Sequence, residues 1–216
     1  MSIKIIACEV IKEEILAVQK LGNVDFEFVG MGFHLNPDKL KIELQRLLNS
    51  GSGYSRIILS FGLCGGAAKG LKAPVPLTIP RIHDCIPLIL GSKRRFDELR
   101  SMENGTLYLS CGWMKGERSF LSEYNRTVEK YGEETALDIY KRMYDGYKRV
   151  LFVSTGSEKG CTCMEESKRI AGILNLKHET LCGDLSYIKK IVNGPWDDSD
   201  FINIEPGEVI KEEYFF

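Results

Sequence analysis

Two thiols and an imidazole lie close together in the stretch RIILSFGLCGGAAKGLKAPVPLTIPRIHDCIPLILG, residues 56–91: Cys64, His83 and Cys85. His83 and Cys85 are two residues apart and can grip one soft ion. Cys64 is the natural third ligand and Cys111 the reserve, and three protein ligands on zinc leave a fourth position open to a substrate. The same residues also fit two other readings. Free cysteine packs as a small hydrophobe in protein cores, and an activated thiol can act as a nucleophile without a metal.

Other groups gather round this stretch. Gly62, Gly65 and Gly66 flank Cys64, and the backbone N–H groups of such a turn can cradle a phosphate or carboxylate, although a plain tight turn has the same composition. Arg81 is placed to pair with an anionic substrate or with Asp84. Glu9 follows a cysteine at the end of an apolar run, so Glu9, Arg81 and Asp84 are the candidate catalytic groups. Ser154 and Thr155 offer hydroxyls to an anion or cap the helix that follows. Trp113 could wall a pocket or pack between parts of the fold. Cys161-Thr162-Cys163 is spaced poorly for chelation and reads as loop, with Cys161 a candidate for the cleft. His34 and His178 have no evident partners and are expected at the surface.

For these groups to meet, the elements carrying them must share an edge. Residues 56–61 and 75–79 read as buried strands, each ending in one reactive cluster. As parallel neighbours they deliver Cys64, His83 and Cys85 to the same end of a sheet, where open α/β folds bind ligands. The remaining pattern alternates strands and helices. Strands are expected at residues 3–8, 24–29 (towards the sheet edge), 106–109, 150–153, 179–181 and 201–204. Helices are expected at 12–21, 36–48 with an Asn36-Pro37 start, after His83, through 117–149 with breaks at Gly132 and Gly146, and at 164–174 and 184–192. Residues 92–104 read as a polar segment. The expected fold is α/β, three-layered with a mainly parallel sheet. It is a single domain over 1–216, or two Rossmann-like lobes of about 1–115 and 116–216 sharing a cleft.

The chain has 216 residues, 44% hydrophobic and 27% charged, with a net charge of −1. That balance lacks the basic surplus that nucleic-acid and anionic-membrane partners demand. No apolar run reaches the roughly 20 residues a bilayer span needs. Seven cysteines, an odd number set mostly at strand ends, suit reduced thiols in a cytoplasmic protein.

Several segments together resemble the family called domain of unknown function 1638. They are Ala7-Cys8-Glu9, Gly62-Leu63-Cys64-Gly65, residues 79–85 with 88–92, Gly112-Trp113, Gly183-Asp184-Leu185 and Pro206-Gly207-Glu208. The likeness spans nearly the whole chain, and Cys161-Thr162-Cys163 stands outside it. It implies a setting beside corrinoid-dependent methyl transfer in anaerobic bacteria and methanogens, with a corrinoid protein as partner. His83, Cys85 and Cys64 are also similar to the zinc site of thiol-activating methyltransferases, although those enzymes are β/α barrels and this chain lacks their pattern. Cys64 in its glycine-flanked turn, with Cys111 or Cys161 opposite, is similar to the aspartate/glutamate racemases, but their GCTH-type motif is missing here.

The expected function is therefore that of a zinc-binding transferase acting on a small thiol or anionic substrate in corrinoid-linked one-carbon metabolism, with iron or a corrinoid as other cofactors. A metal or corrinoid carrier without turnover, and a metal-free cysteine racemase or lyase, are the alternatives.

Overall fold

The computed structural model describes residues 2–18, 22–116, 118–157 and 162–216. The chain folds as an α/β protein with two sheets. The larger has the order β2-β1-β3-β4-β8, from β1 (Ile3–Cys8), β2 (Val24–Val29), β3 (Arg56–Ser60), β4 (Leu77–Pro80) and β8 (Phe201–Ile204). The smaller has the order β5-β6-β7, from β5 (Thr106–Leu109), β6 (Arg149–Ser154) and β7 (Lys177–Cys182). Every pairing is parallel except that of β4 with β8, which is antiparallel at the sheet edge.

Local sequence explains these elements. The β1 and β3 strands are almost wholly buried and correspondingly apolar, as a strand covered on both faces must be. On β2, Asp25 and Glu27 alternate with apolar residues, and the strand takes the outer position that this pattern suits. The helix α1 (Lys12–Val18) follows β1, and residues 19–21 of the expected helix lie outside the described residues. In α2 (Pro37–Asn49), Leu40, Leu44, Leu47 and Leu48 form the buried face, and the Asn36 side chain accepts from the Lys39 N–H at 3.1 Å.

Between β4 and β5 come α3 (Ile86–Leu90) and α4 (Lys93–Met102). The latter occupies the segment expected to be merely polar, and the Ser92 hydroxyl caps it by accepting from the Arg95 N–H. A short α5 (Cys111–Met114) leaves β5, and α6 (Phe120–Tyr131) and α7 (Glu133–Met143) then follow with Gly132 between them. Residue 117, the expected start of that helical stretch, lies outside the described residues. Finally α8 (Cys163–Leu174) and α9 (Ser186–Asn193) complete the βα alternation.

Two hydrophobic clusters form the core. One surrounds the larger sheet and takes in Val153, Tyr187 and Ile188; the other lies between the smaller sheet and α6, α7 and α8. Trp113 packs against both. Among the described residues no helix is long and apolar enough to cross a membrane.

The carboxyl ends of the two sheets face one another. A Cβ on Gly112, just after β5, would fall 1.7 Å from the Val10 carbonyl oxygen just after β1. Only glycine permits this approach. Close by, the Thr155 hydroxyl after β6 donates to the buried Glu14 carboxyl of α1 at 2.8 Å.

Candidate functional site

The order β2-β1-β3 reverses direction at β1, and a crevice outside the carboxyl ends of β1 and β3 is where such sheets hold ligands. Cys8 ends β1, and His34 lies in the turn after β2. Cys64 follows β3 and Cys85 follows β4. The parallel pairing of β3 with β4 thus delivers Cys64, His83 and Cys85 to one edge of the sheet. The local link is backbone to backbone: the Leu63 N–H donates to the Ile82 carbonyl at 3.0 Å, and the Cys64 N–H to the His83 carbonyl at 2.8 Å. Gly62 allows it, since a Cβ there would lie 2.6 Å from the Ile82 oxygen.

The thiols sense one another. Burial pushes Cys8 up to about 12, with the Val10 N–H opposing the rise and the Glu9 charge adding to it. Cys64 is half-buried as a residue, but enclosure of its sulfur raises it to about 12, and proximity to Cys8 reinforces the shift. Cys85 is raised well above the ordinary thiol value, again by burial first, with Cys8, Asp84 and Cys64 all adding to it. All three are therefore protonated at neutral pH.

The Cys8 sulfur lies 3.1 Å from Nε2 of His34, whose ring stacks on Phe61 and meets Trp113 edge-on. Burial lowers the His34 pKa and holds the ring neutral. Cys8 and His34, the one weighed only for its neighbour Glu9 and the other expected at the surface, belong to this cluster.

The Cys64 backbone is unusual. Its φ of 47° is in the left-handed region, followed by Gly65 at 68° and Gly66 at 91°. For a residue with a Cβ this costs about 1–3 kcal/mol and is found mainly at functional turns. It sets Cys64 between two spaces. One is a cavity of about 570 Å³ between the sheets, lined by His34, Trp113, Phe120, Tyr140 and Tyr144 among others. The other is a more open pocket with His83, Asp84, Lys69, Glu212 and Gly66.

His83 therefore opens on a different space from His34, with its ring 5.0 Å from that of Phe216. Among the described residues no group of three or more His, Cys, Asp or Glu side chains is arranged to hold a metal ion, the set Cys64, His83 and Cys85 included. Cys111, the reserve ligand, is bonded to Cys163 in a disulfide, so its sulfur is not a free donor. That pairing also corrects the expectation that the thiols are all reduced and that Cys163 is simply loop. Cys161 lies outside the described residues.

The other candidates divide between bonded and accessible positions. The Arg81 guanidinium donates to the carbonyls of Tyr214, Asp198 and Phe201, tying the chain's last segments down rather than facing a cavity. Asp84 accepts from the Ile86 N–H at 2.8 Å, and burial raises its pKa above the ordinary carboxyl value. Glu9 is exposed and accepts from the Met31 N–H at 3.4 Å. Thr155 faces Glu14, and Ser154 ends β6. Trp113 and Gly65 line the cavity between the sheets.

Neither the curated proteins nor the solved structures yield a match to this chain. A family profile described as protein of unknown function (DUF1638) matches residues 28–192, a span that runs from the end of β2 into α9 and includes His34, Cys64, His83 and Cys85. The chain belongs to that family.

Proposed function

We propose that the protein binds a thiophilic metal ion, zinc or iron, through Cys8, Cys64 and Cys85 with His34, and acts as a transferase on a small substrate in the adjoining cavity. The single observation behind this reading is the gathering of three thiols at or after the ends of the neighbouring parallel strands β1, β3 and β4, with an imidazole 3.1 Å from one of them. Sulfur and imidazole suit a soft ion. Protonated, enclosed thiols without a cation beside them are costly to ionise singly, whereas an ion supplies the charge that lets all three lose their protons. The donor chemistry fits, but the side-chain geometry does not yet converge on one point, so binding requires these side chains to turn.

The setting in corrinoid-linked methyl transfer, with a corrinoid protein as partner, rests on the family resemblance. A carrier that delivers metal or corrinoid without turnover uses the same donors. In the finer architecture we propose, two Rossmann-like lobes share the cleft, one built on each sheet; they do not divide at residue 115 as expected, because β5 already belongs to the smaller sheet and β8 returns to the larger. The separate hydrophobic clusters on either side of Trp113 support it.

A metal-free thiol is the second reading, favoured by the left-handed Cys64. The run Gly62-Leu63-Cys64-Gly65-Gly66 repeats the spacing at which a strand-to-helix elbow presents a serine nucleophile. The raised pKa of Cys64 weighs against it.

Elemental analysis after zinc loading and gel filtration separates these readings. We expect about one ion per chain, lost in Cys8→Ser, Cys64→Ser and Cys85→Ser, weakened in His34→Ala and unchanged in His83→Ala. Cobalt in place of zinc should give sulfur-to-metal absorption. Full zinc retention by Cys8→Ser and Cys64→Ser, or none by the wild type, would sink the metal reading.

A further inference from the structure

The cavity between the sheets carries its own record of what it holds. Its wall is rigid and aromatic: Phe120 meets Tyr140 at 5.1 Å and 72°, and Tyr144 at 5.6 Å and 53°. With Trp113 and Met114 this surface offers a ligand apolar contact and few hydrogen bonds, so a strongly polar molecule would lose its water there without replacement.

The charged lining is Arg118 and Glu123. Nε of Arg118 lies 3.1 Å from Oε1 of Glu123, and the same oxygen accepts from Arg126 at 2.7 Å. Arg126, outside the cavity lining, thus shares in neutralising this carboxylate, and Arg118 is the cationic side chain that faces the cavity. Among the described residues Arg118 makes no hydrogen bond beyond this ion pair, so the donors of its planar fork remain available.

We infer that the cavity binds an amphipathic organic anion, its aromatic or aliphatic body against Trp113, Tyr140 and Tyr144 and its carboxylate or comparable head on Arg118. This names the substrate class for the cavity described above and rests on the reading of that cavity as the substrate's place. Cys64 and His34 line the same space. A cation is disfavoured by Arg118 in the lining and by rings packed on one another rather than arranged as an open cage.

Titration calorimetry of the full chain with phenylpropanoate, phenylpropanol and phenylpropylamine isolates the head group, because the three share one body. The acid should bind about tenfold more tightly than the alcohol, and the amine most weakly. Arg118→Gln should bring the acid down to the alcohol without moving the alcohol, Arg118→Lys should restore part of the difference, and Tyr144→Ala should weaken acid and alcohol together. Equal binding of all three, a preference for the amine, or binding of none overturns the inference. Zinc content is read on the same samples: an anion preference without zinc retention removes the metal proposal alone, and zinc retention without the preference removes this one alone.

Discussion

The Cys8 sulfur and the His34 Nε2 atom are 3.1 Å apart although 26 residues separate them in sequence, and neither is charged at neutral pH. A neutral thiol beside a neutral imidazole stores two donors until something with positive charge arrives. The pair also explains why His34, alone among the three histidines, is packed between Phe61 and Trp113.

The thiol pKa values fix a dependence on pH. Cys8 and Cys64 titrate near 12 when folded and near the ordinary 9.0 when unfolded. Their raised values favour the protonated folded form, so this contribution is complete below pH 9 and is lost as the pH rises towards 12. The slope between these limits is about 1.4 kcal/mol per pH unit for each thiol. Urea unfolding at pH 8 and pH 10 should show the loss, and Cys8→Ala should reduce it. An identical slope in Cys8→Ala would contradict the assignment.

Alkylation gives the same information residue by residue. At pH 8 the exposed Cys182 should react with iodoacetamide first, and Cys8 and Cys85 only after unfolding. Peptide mapping by mass spectrometry identifies the labelled positions, and fast labelling of Cys85 in the folded protein would count against its enclosure.

The disulfide between Cys111 and Cys163 closes a loop of 52 residues in sequence. It joins the start of α5, which carries Trp113, to the start of α8. Its removal by Cys111→Ser together with Cys163→Ser should cost about 2–4 kcal/mol in a denaturation experiment run without reductant. A non-reducing peptide map should recover the linked pair, and two free thiols under oxidising conditions would refute the pairing.

Two glycines should respond in opposite senses to alanine. In Gly62→Ala the new methyl meets the Ile82 carbonyl at 2.6 Å, and a loss of several kcal/mol is expected, about 3 or more. Gly172, within α8, has nothing within 4 Å of an added Cβ, so Gly172→Ala should stabilise by about 0.5–1 kcal/mol. Thermal melting of both variants checks the contrast.

Much of the scaffold was legible in the sequence, because local pattern decides it. The strands Ile3–Cys8, Val24–Val29, Thr106–Leu109 and Phe201–Ile204 lie at the expected residues, each an apolar or alternating run bounded by turn formers. The helix Lys93–Met102 was hidden because charges dominate it and it buries no residue fully; Phe96 and Leu99 are its only residues packed on the core. The sheet edge carrying Cys64, His83 and Cys85 was legible from the strand ends, whereas the direction of each side chain was not. Arg81 is consumed by carbonyls of residues 198, 201 and 214, and His34 is placed by the rings of Phe61, just after β3, and Trp113 of α5. Both depend on distant chain segments, as does the Cys111–Cys163 bond, and no local period announces such encounters.

The missing side chain at Gly112 has one more effect. Main chain abuts main chain at this point, with no compressible group in between, so the two sheets cannot draw closer there. The width of the crevice at residue 112 is therefore fixed by backbone, whatever the neighbouring side chains do.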